Sequence, residues 1–315
     1  MMQYLVILLD DTSVSFCHYD NRKTERRLMP LDTLKAAILY AMKENLNIQF
    51  VYPDYALPSE YQEIIESFGH VKIKPAACAD GADVVVFDDI ETLASSTGFS
   101  QGTVYALRTD KNALFDEVAS ILPILYKVER LNIIITDIDS FVEEDFKTYS
   151  DTLQTLADEV EKVYVSGKSI QLNLLTDRMM LDKMNNCGAG ETSITLAPNG
   201  KFYVCPAFYI SADGYAVGDL EHGLVIKNPQ LYRLDHAPIC RSCDAYQCKR
   251  CIWQNRKTTL EVNTPSHEQC VVAHLERNAS RRLLQAIRRH GEFLPEMEDL
   301  KKITYLDPFD VRKIW

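Results

Sequence analysis

The residues best suited to chemistry in this 315-residue chain are its nine cysteines, and their placement is uneven. Only Cys17 and Cys78 lie in the first half. Cys187, Cys205, Cys240, Cys243, Cys248, Cys251 and Cys270 follow close together. The dense part reads Cys240-x2-Cys243-x4-Cys248-x2-Cys251. A Cys-x-x-Cys turn aims two thiolates at one centre, so two such pairs with a further thiolate downstream can serve a four-ligand site and part of another. Seven ligands divide as four plus three. On spacing alone, structural four-thiolate zinc and iron–sulfur ligation fit equally. A cytoplasmic chain keeps its thiols reduced, which disfavours a disulfide framework.

Other reactive types have bland readings. Cys17 and Cys78 suit small buried hydrophobes. His18, His222, His236 and His267 suit surface or capped positions, although any could complete a three-cysteine site, and His236 is nearest the cysteine run. Tyr246 and Trp253 are expected to pack over the metal region and shield it from water. Acids collect at Asp10-Asp11, Asp54, Asp88-Asp89, Asp137-Asp139 and Asp177. A hydrolase or transferase site could use them, but Asp after a strand more often caps the next helix. No glycine-rich phosphate loop and no His-x3-His pair is present.

The elements that position these residues change character along the chain. Apolar strand-like runs occur at Tyr4–Leu9, Ile48–Tyr52, Val71–Ile73, Val84–Phe87, Val104–Leu107, Leu131–Thr136 and Ile170–Leu175. Helical periodicity fills most intervals: Leu31, Leu34, Ile38 and Met42; Tyr61, Ile64, Ile65 and Phe68; Leu114 to Leu125; Phe146 to Val163. The Val71–Val84 link is too short for a full helix. Strands apolar on both faces, alternating with helices, define an α/β unit with a parallel sheet. About six strand–helix units fit a partial barrel or open sheet better than a closed eight-fold barrel. In either, ligands bind beyond the strand C-termini.

From Asn185, Gly and Pro accumulate and the long periodic helices stop. Asn199-Gly200, flanked by Thr195-Leu196 and Phe202-Tyr203, reads as a hairpin that sets Cys205 just after the returning strand. A loop-rich region of this kind usually needs metal staples. A helix resumes after Cys270, with Arg277, Arg281, Arg282, Arg288 and Arg289 read as a solvated basic face.

The order Cys187, Gly200-x4-Cys205, the four-cysteine run and Cys270 resembles the seven-cysteine SPASM domain, which follows the partial (βα)6 barrel of radical SAM enzymes that modify ribosomal peptides. The resemblance implies up to two auxiliary [4Fe–4S] clusters. Cys240, Cys243, Cys248 and Cys270 would ligate one; Cys187, Cys205 and Cys251 would give the other an incomplete cysteine set. Two spacings, x4 and x2, are each one residue shorter than the family's usual form. The barrel departs further. Where radical SAM enzymes carry CxxxCxxC after the first strand, this chain has Asp10-Asp-Thr-Ser-Val-Ser-Phe16-Cys17, with one cysteine. Where the family has Gly-Gly-Glu-Pro after the second strand, it has Val51-Tyr52-Pro53-Asp54. The whole chain is more closely similar to the CXXX repeat peptide maturase family, through Tyr4–Tyr19, the block Cys187-Gly-Ala-Gly-Glu-Thr-Ser through Gly200, and Cys248-Lys-Arg-Cys251-Ile-Trp253-Gln-Asn255.

The resulting expectation is a radical-SAM-like partial barrel over residues 1–184, a SPASM-like metal-binding domain over 185–275 and a helical tail over 276–315. Its implied work is maturation of a ribosomally made cysteine-repeat peptide, by binding the precursor or relaying electrons, without SAM radical chemistry of its own. A partner radical SAM enzyme or other maturation proteins would act with it. The alternative is a zinc-stapled, non-catalytic scaffold. A net charge of −11 argues against general nucleic-acid binding. The absence of a long apolar run argues against a membrane span, and the start MMQYLVILLDD reads as a strand rather than a signal peptide. A cytoplasmic location is expected.

Overall fold

The fold is given by a computed structural model, in which residues 2–185, 187–211, 215–248 and 250–300 are described. In chain order the elements are β1 (Tyr4–Leu8), α1 (Leu31–Lys43), β2 (Asn47–Val51), α2 (Ser59–Ile65), β3 (Val71–Pro75), β4 (Val84–Phe87), α3 (Ile90–Ser95), β5 (Val104–Thr109), α4 (Lys111–Ile121), β6 (Arg130–Ile135), α5 (Glu143–Val165), β7 (Gln171–Leu172), β8 (Ser193–Leu196), β9 (Phe202–Tyr203), α6 (Pro206–Ile210), β10 (Gly218–Asp219), β11 (Gly223–Leu224), α7 (Ile252–Thr259) and α8 (His267–Arg288). Contacts divide the chain into two units, Met1–Val86 with Cys187–Ala237, and Phe87–Asn186 with Pro238–Trp315.

In the first unit the strand order is β4-β3-β2-β1-β8-β9. β1 runs parallel to β2, with Ile7 opposite Phe50, and parallel to β8, with Ile7 opposite Leu196. β8 and β9 are antiparallel, with Leu196 opposite Phe202. Every residue of β1 after Tyr4 is buried, as a central parallel strand covered on both faces requires. Leu34, Ala37, Ile38 and Ala41 of α1 and Tyr61 and Ile65 of α2 join Leu5, Ile7, Ile48 and Phe50 in one apolar core. The Tyr61 hydroxyl, inside that core, donates to the Met29 carbonyl at 2.6 Å.

In the second unit β5, β6 and β7 are parallel. α5 buries Phe146, Tyr149, Leu153, Leu156, Val160 and Val163, the positions its periodicity selects, and packs against α8. Three helix starts follow side-chain chemistry. Asp89 accepts from Thr92 N at 2.6 Å to cap α3, and Asp110 accepts from Ala113 N at 2.9 Å to cap α4. Ser266 accepts from Gln269 N at 3.2 Å to cap α8.

The α/β class and the parallel sheet are those expected. The Val71–Val84 link contains only a 3-10 turn, Ala76–Cys78. Two local expectations change. β7 is two residues long, because Thr176 Oγ1 accepts from Leu172 N at 2.8 Å and folds the chain into a turn where a longer strand was expected. α3, between Phe87 and Val104, has too few turns for its period to stand out. α8 is continuous across residue 276; the expected tail over 301–315 lies outside the described residues.

Candidate metal centre

The cysteine-rich loop of the second unit is built from tight turns. Cys243 N donates to the Cys240 carbonyl at 3.1 Å, which closes the first Cys-x2-Cys turn, and Cys248 N donates to the Ala245 carbonyl at 3.0 Å. Cys240 is buried. Burial pushes its thiol up to about 11, Cys243 adds to the rise, and the Arg250 guanidinium opposes it. Burial also pushes the Cys248 thiol up to about 12, with the Arg250 backbone N–H opposing and with Cys240, Cys243 and Glu276 adding to the rise. Three thiols of the run therefore lie within electrostatic reach of one another. Metal-free, Cys240 and Cys248 are held as neutral thiols; a bound metal would have to displace those protons.

The surroundings are polar for a protein interior. Gln247 is 5% exposed, and both its Nε2 and its Oε1 are buried without a hydrogen-bond partner. The side-chain oxygens of Gln254, Asn255 and Gln269 are in the same condition. An unmet buried polar group costs about 1–3 kcal/mol; of these atoms only Gln247 Nε2 is a donor that a sulfur acceptor could satisfy. Arg250 is 2% exposed and adopts a left-handed φ of 42°, a conformation that costs a non-glycine residue about 1–2 kcal/mol. Its positive charge is felt by the Cys240 thiol. Among the described residues, no three His, Cys, Asp or Glu side chains converge closely enough to hold a single metal ion. By donor chemistry alone, the thiols of Cys240, Cys243, Cys248 and Cys270 suit iron–sulfur and zinc ligation alike.

The other cysteines are placed as follows. Cys251 precedes the first turn of α7, and Cys270 is buried in the first turn of α8, both in this unit. Cys187 and Cys205 belong to the first unit. Cys187 is exposed and opens a loop held by Gly188 and Gly190, both with positive φ. Cys205 lies one residue beyond β9, after Val204, and directly precedes α6, as the hairpin reading expects. Burial raises the nearby Tyr232 hydroxyl, and the charge of Cys205 adds to the effect.

Several expectations are corrected. Cys17 and Cys78 are only half-buried; the Cys78 thiol donates to the Asp54 carbonyl at 3.4 Å. Arg277 is not on a solvated face. It is 4% exposed and pairs with Asp244 at 2.9 Å. Arg178 donates to the Asp244 carbonyl at 2.8 Å, and its guanidinium lies 4.1 Å from the Tyr246 ring centre, so Tyr246 supports this clamp. His236, as its default reading has it, is on the surface, with its Nδ1 2.9 Å from Asp235.

Residues missed by the sequence reading also line this region. His274 Nε2 is 3.6 Å from Cys243 Sγ. The buried Tyr149 hydroxyl donates to Glu276 Oε1 at 2.7 Å, and burial pushes the Glu276 carboxyl up to about 8. The legible signal for His274 was its position four residues after Cys270 on a helix, which gives the two one face.

The loop after β1 is occupied by its own chemistry. Asp10 is fully buried; its Oδ1 accepts from Thr12 N at 2.8 Å and Thr12 Oγ1 at 2.6 Å, and its Oδ2 from the Tyr55 hydroxyl at 2.8 Å. Ser13 Oγ donates to the Val51 carbonyl at 2.9 Å. The Asn21 amide donates to the Asp11 carbonyl at 2.9 Å and to the Ser13 carbonyl at 2.8 Å. The Tyr209 hydroxyl donates to Asp11. The remaining strand-end acids hold structure: Asp88 pairs with Arg108, Asp177 with Arg130 at 2.8 Å, Asp139 with Lys257 at 2.6 Å, and Asp137 accepts from Lys111 N at 2.9 Å.

This architecture is a mixed α/β fold built on a parallel sheet. The structure of native anSMEcpe with bound AdoMet is similar over 90% of this chain and 99% of that one, with a TM-score of 0.60 and 13% identity. The structure of native anSMEcpe with bound AdoMet and Cp18Cys peptide is similar over the same shares, with a TM-score of 0.61 and 14% identity. At these identities the likeness is one of fold. No protein-family model matches the chain. No curated protein matches it. No helix of the described residues is long and apolar enough to cross a membrane.

Proposed function

We propose that the chain is a cytoplasmic peptide-maturation protein of the CXXX repeat peptide maturase kind. In this reading it keeps the radical-SAM-like frame and SPASM-type metal sites but has no SAM radical chemistry. Residues 1–184 form the degenerate barrel, 185–275 the metal-binding part and 276–315 the tail. Cys240, Cys243, Cys248 and Cys270 hold one [4Fe–4S] cluster. Cys187, Cys205 and Cys251 are assigned by resemblance to an incomplete second set. The observation that carries the reading is a contrast. Cys240, Cys243 and Cys248 gather with Arg250 at the cysteine-rich loop, while the loop after β1 commits its polar groups around Asp10 and Asn21 to its own backbone and to Val51, Tyr55 and Tyr209, and offers only Cys17. Such clusters, when bound, supply one-electron transfer. Around the first set, Arg250 offsets thiolate charge, the Gln247 amide offers a donor to sulfur, and the Arg277–Asp244–Arg178 clamp fixes the backbone between Cys243 and Tyr246.

The substrate in this reading is a precursor peptide with cysteine at every fourth residue. The structures of anSMEcpe with Cp18Cys peptide and with Kp18Cys peptide support a peptide as partner. A partner radical SAM enzyme or another maturation protein would supply chemistry that this barrel lacks. The experiment is anaerobic purification with iron, sulfide and zinc analysis, followed by a binding titration with the repeat peptide and an assay for 5′-deoxyadenosine. Iron and sulfide in near-equal amounts, peptide binding and no 5′-deoxyadenosine are expected. Colourless protein carrying zinc would replace the reading with a stapled scaffold. 5′-Deoxyadenosine made by the chain alone would overturn the inactive barrel.

A further inference from the structure

We propose that His274 is a positioning residue of the cluster: its Nε2–H donates to the Cys243 thiolate and sets the reduction potential of the centre. The inference rests on the proposed cluster at the cysteine-rich loop and adds to it a residue outside the seven cysteines. Four observations carry it. His274 Nε2 stands 3.6 Å from Cys243 Sγ, inside hydrogen-bond range for sulfur. The imidazole is 4% exposed, and a buried polar ring without a partner is costly. Its neighbours Val271, Val272 and Ala273 are buried and apolar, so packing alone would be served by a leucine. Cys270 lies one turn earlier on the same face of α8, so one helix brings a ligand and a donor to the same loop.

The direction of the hydrogen bond follows from proton accounting. A Cys243 thiolate on iron has lost its proton and can only accept. The proton must then reside on His274 Nε2. An N–H directed at a ligating sulfur draws electron density from the metal–sulfur bond. That stabilises the reduced, more negative cluster and raises its potential.

The test compares anaerobically purified wild-type protein with His274→Leu and His274→Gln by iron content, redox titration and electron paramagnetic resonance. The leucine variant is expected to keep its iron and to shift to a more negative midpoint. The glutamine variant, which restores an N–H donor, is expected to return toward wild type. Wild-type protein with a cluster, and a folded leucine variant of unchanged potential, would reduce His274 to packing. Loss of iron from a folded leucine variant would make it a ligand and overturn the donor role. If the leucine variant does not fold, wild-type protein labelled with 15N-histidine decides. A weak hyperfine coupling absent in His274→Gln supports the donor; its absence in wild type, or a strong coupling typical of ligation, overturns it. Wild-type protein without iron would instead sink the cluster reading itself.

Discussion

At the scale of single residues, the chemistry of the cysteine-rich loop turns on which protons the interior tolerates. The neutral Cys240 and Cys248 thiols imply that loading releases protons and weakens as pH falls. Cys240→Ser is expected to lower iron content sharply while leaving helix content unchanged, measured by iron analysis and circular dichroism. Glu276 gives a separate test on the metal-free protein. Its carboxyl is raised by burial from 4.5 to about 8, so between those values the folded state holds a proton that the unfolded chain has released. Stability from this group is complete below about pH 4.5 and is lost as pH rises toward 8, at up to about 1.4 kcal/mol per unit. Glu276→Gln should remove that loss. Its stability advantage over wild type in denaturant titrations should grow from pH 5 to pH 7.5. An equal difference at both pH values would show that Glu276 does not titrate there.

At the scale of elements, turns and caps decide where thiols and loops sit. Gly190, beside Cys187, has φ of +78°, and a Cβ there would come within 2.7 Å of the Tyr232 ring and 2.9 Å of Val204. Both the backbone and the packing exclude a side chain, so Gly190→Ala is expected to cost about 1–3 kcal/mol. Thermal unfolding would show it as a lowered midpoint. Asp110→Ala removes the cap of α4 and should cost about 1 kcal/mol, whereas Asp116→Ala, within α4, leaves the cap intact and should cost less. The hairpin at Asn199-Gly200 shows how far turn chemistry reads from sequence. Its strand pairing, Thr195 with Tyr203 and Leu196 with Phe202, is the one expected. Yet the connection is longer than a two-residue turn, with Gly200 N bonded back to the Ala197 carbonyl at 2.9 Å.

At the scale of the whole molecule, the loop after β1 is tied to its own backbone and to Val51, Tyr55 and Tyr209. The Asp10 and Asn21 networks take up polar groups of the loop after β1. The protein is therefore expected to show no saturable AdoMet binding in calorimetry. Asp10→Asn is expected to destabilise the first unit by removing charge-assisted bonds, worth about 1.5–3 kcal/mol each, without creating AdoMet binding. A saturable heat with AdoMet in the wild-type chain would contradict this account. The net charge of −11 further disfavours acidic polymers as partners.

The sequence by itself determined the α/β class, because strands apolar on both faces between helices of period 3.6 can bury themselves in few other ways. It also determined the lone Cys17 in the loop after β1, since ligand number is a property of composition. The position of Cys205 after β9 was legible from the turn residues around Gly200. Only the tertiary structure decided which groups meet across long sequence separations: Cys243 with His274, Tyr149 with Glu276, and Arg277 with Asp244. Period and spacing describe neighbours along one element, whereas burial and proton affinity arise where separate elements pack. Arg277 therefore read as a solvated charge on its own helix, and His274 did not register at all until α8 was laid against the cysteine-rich loop.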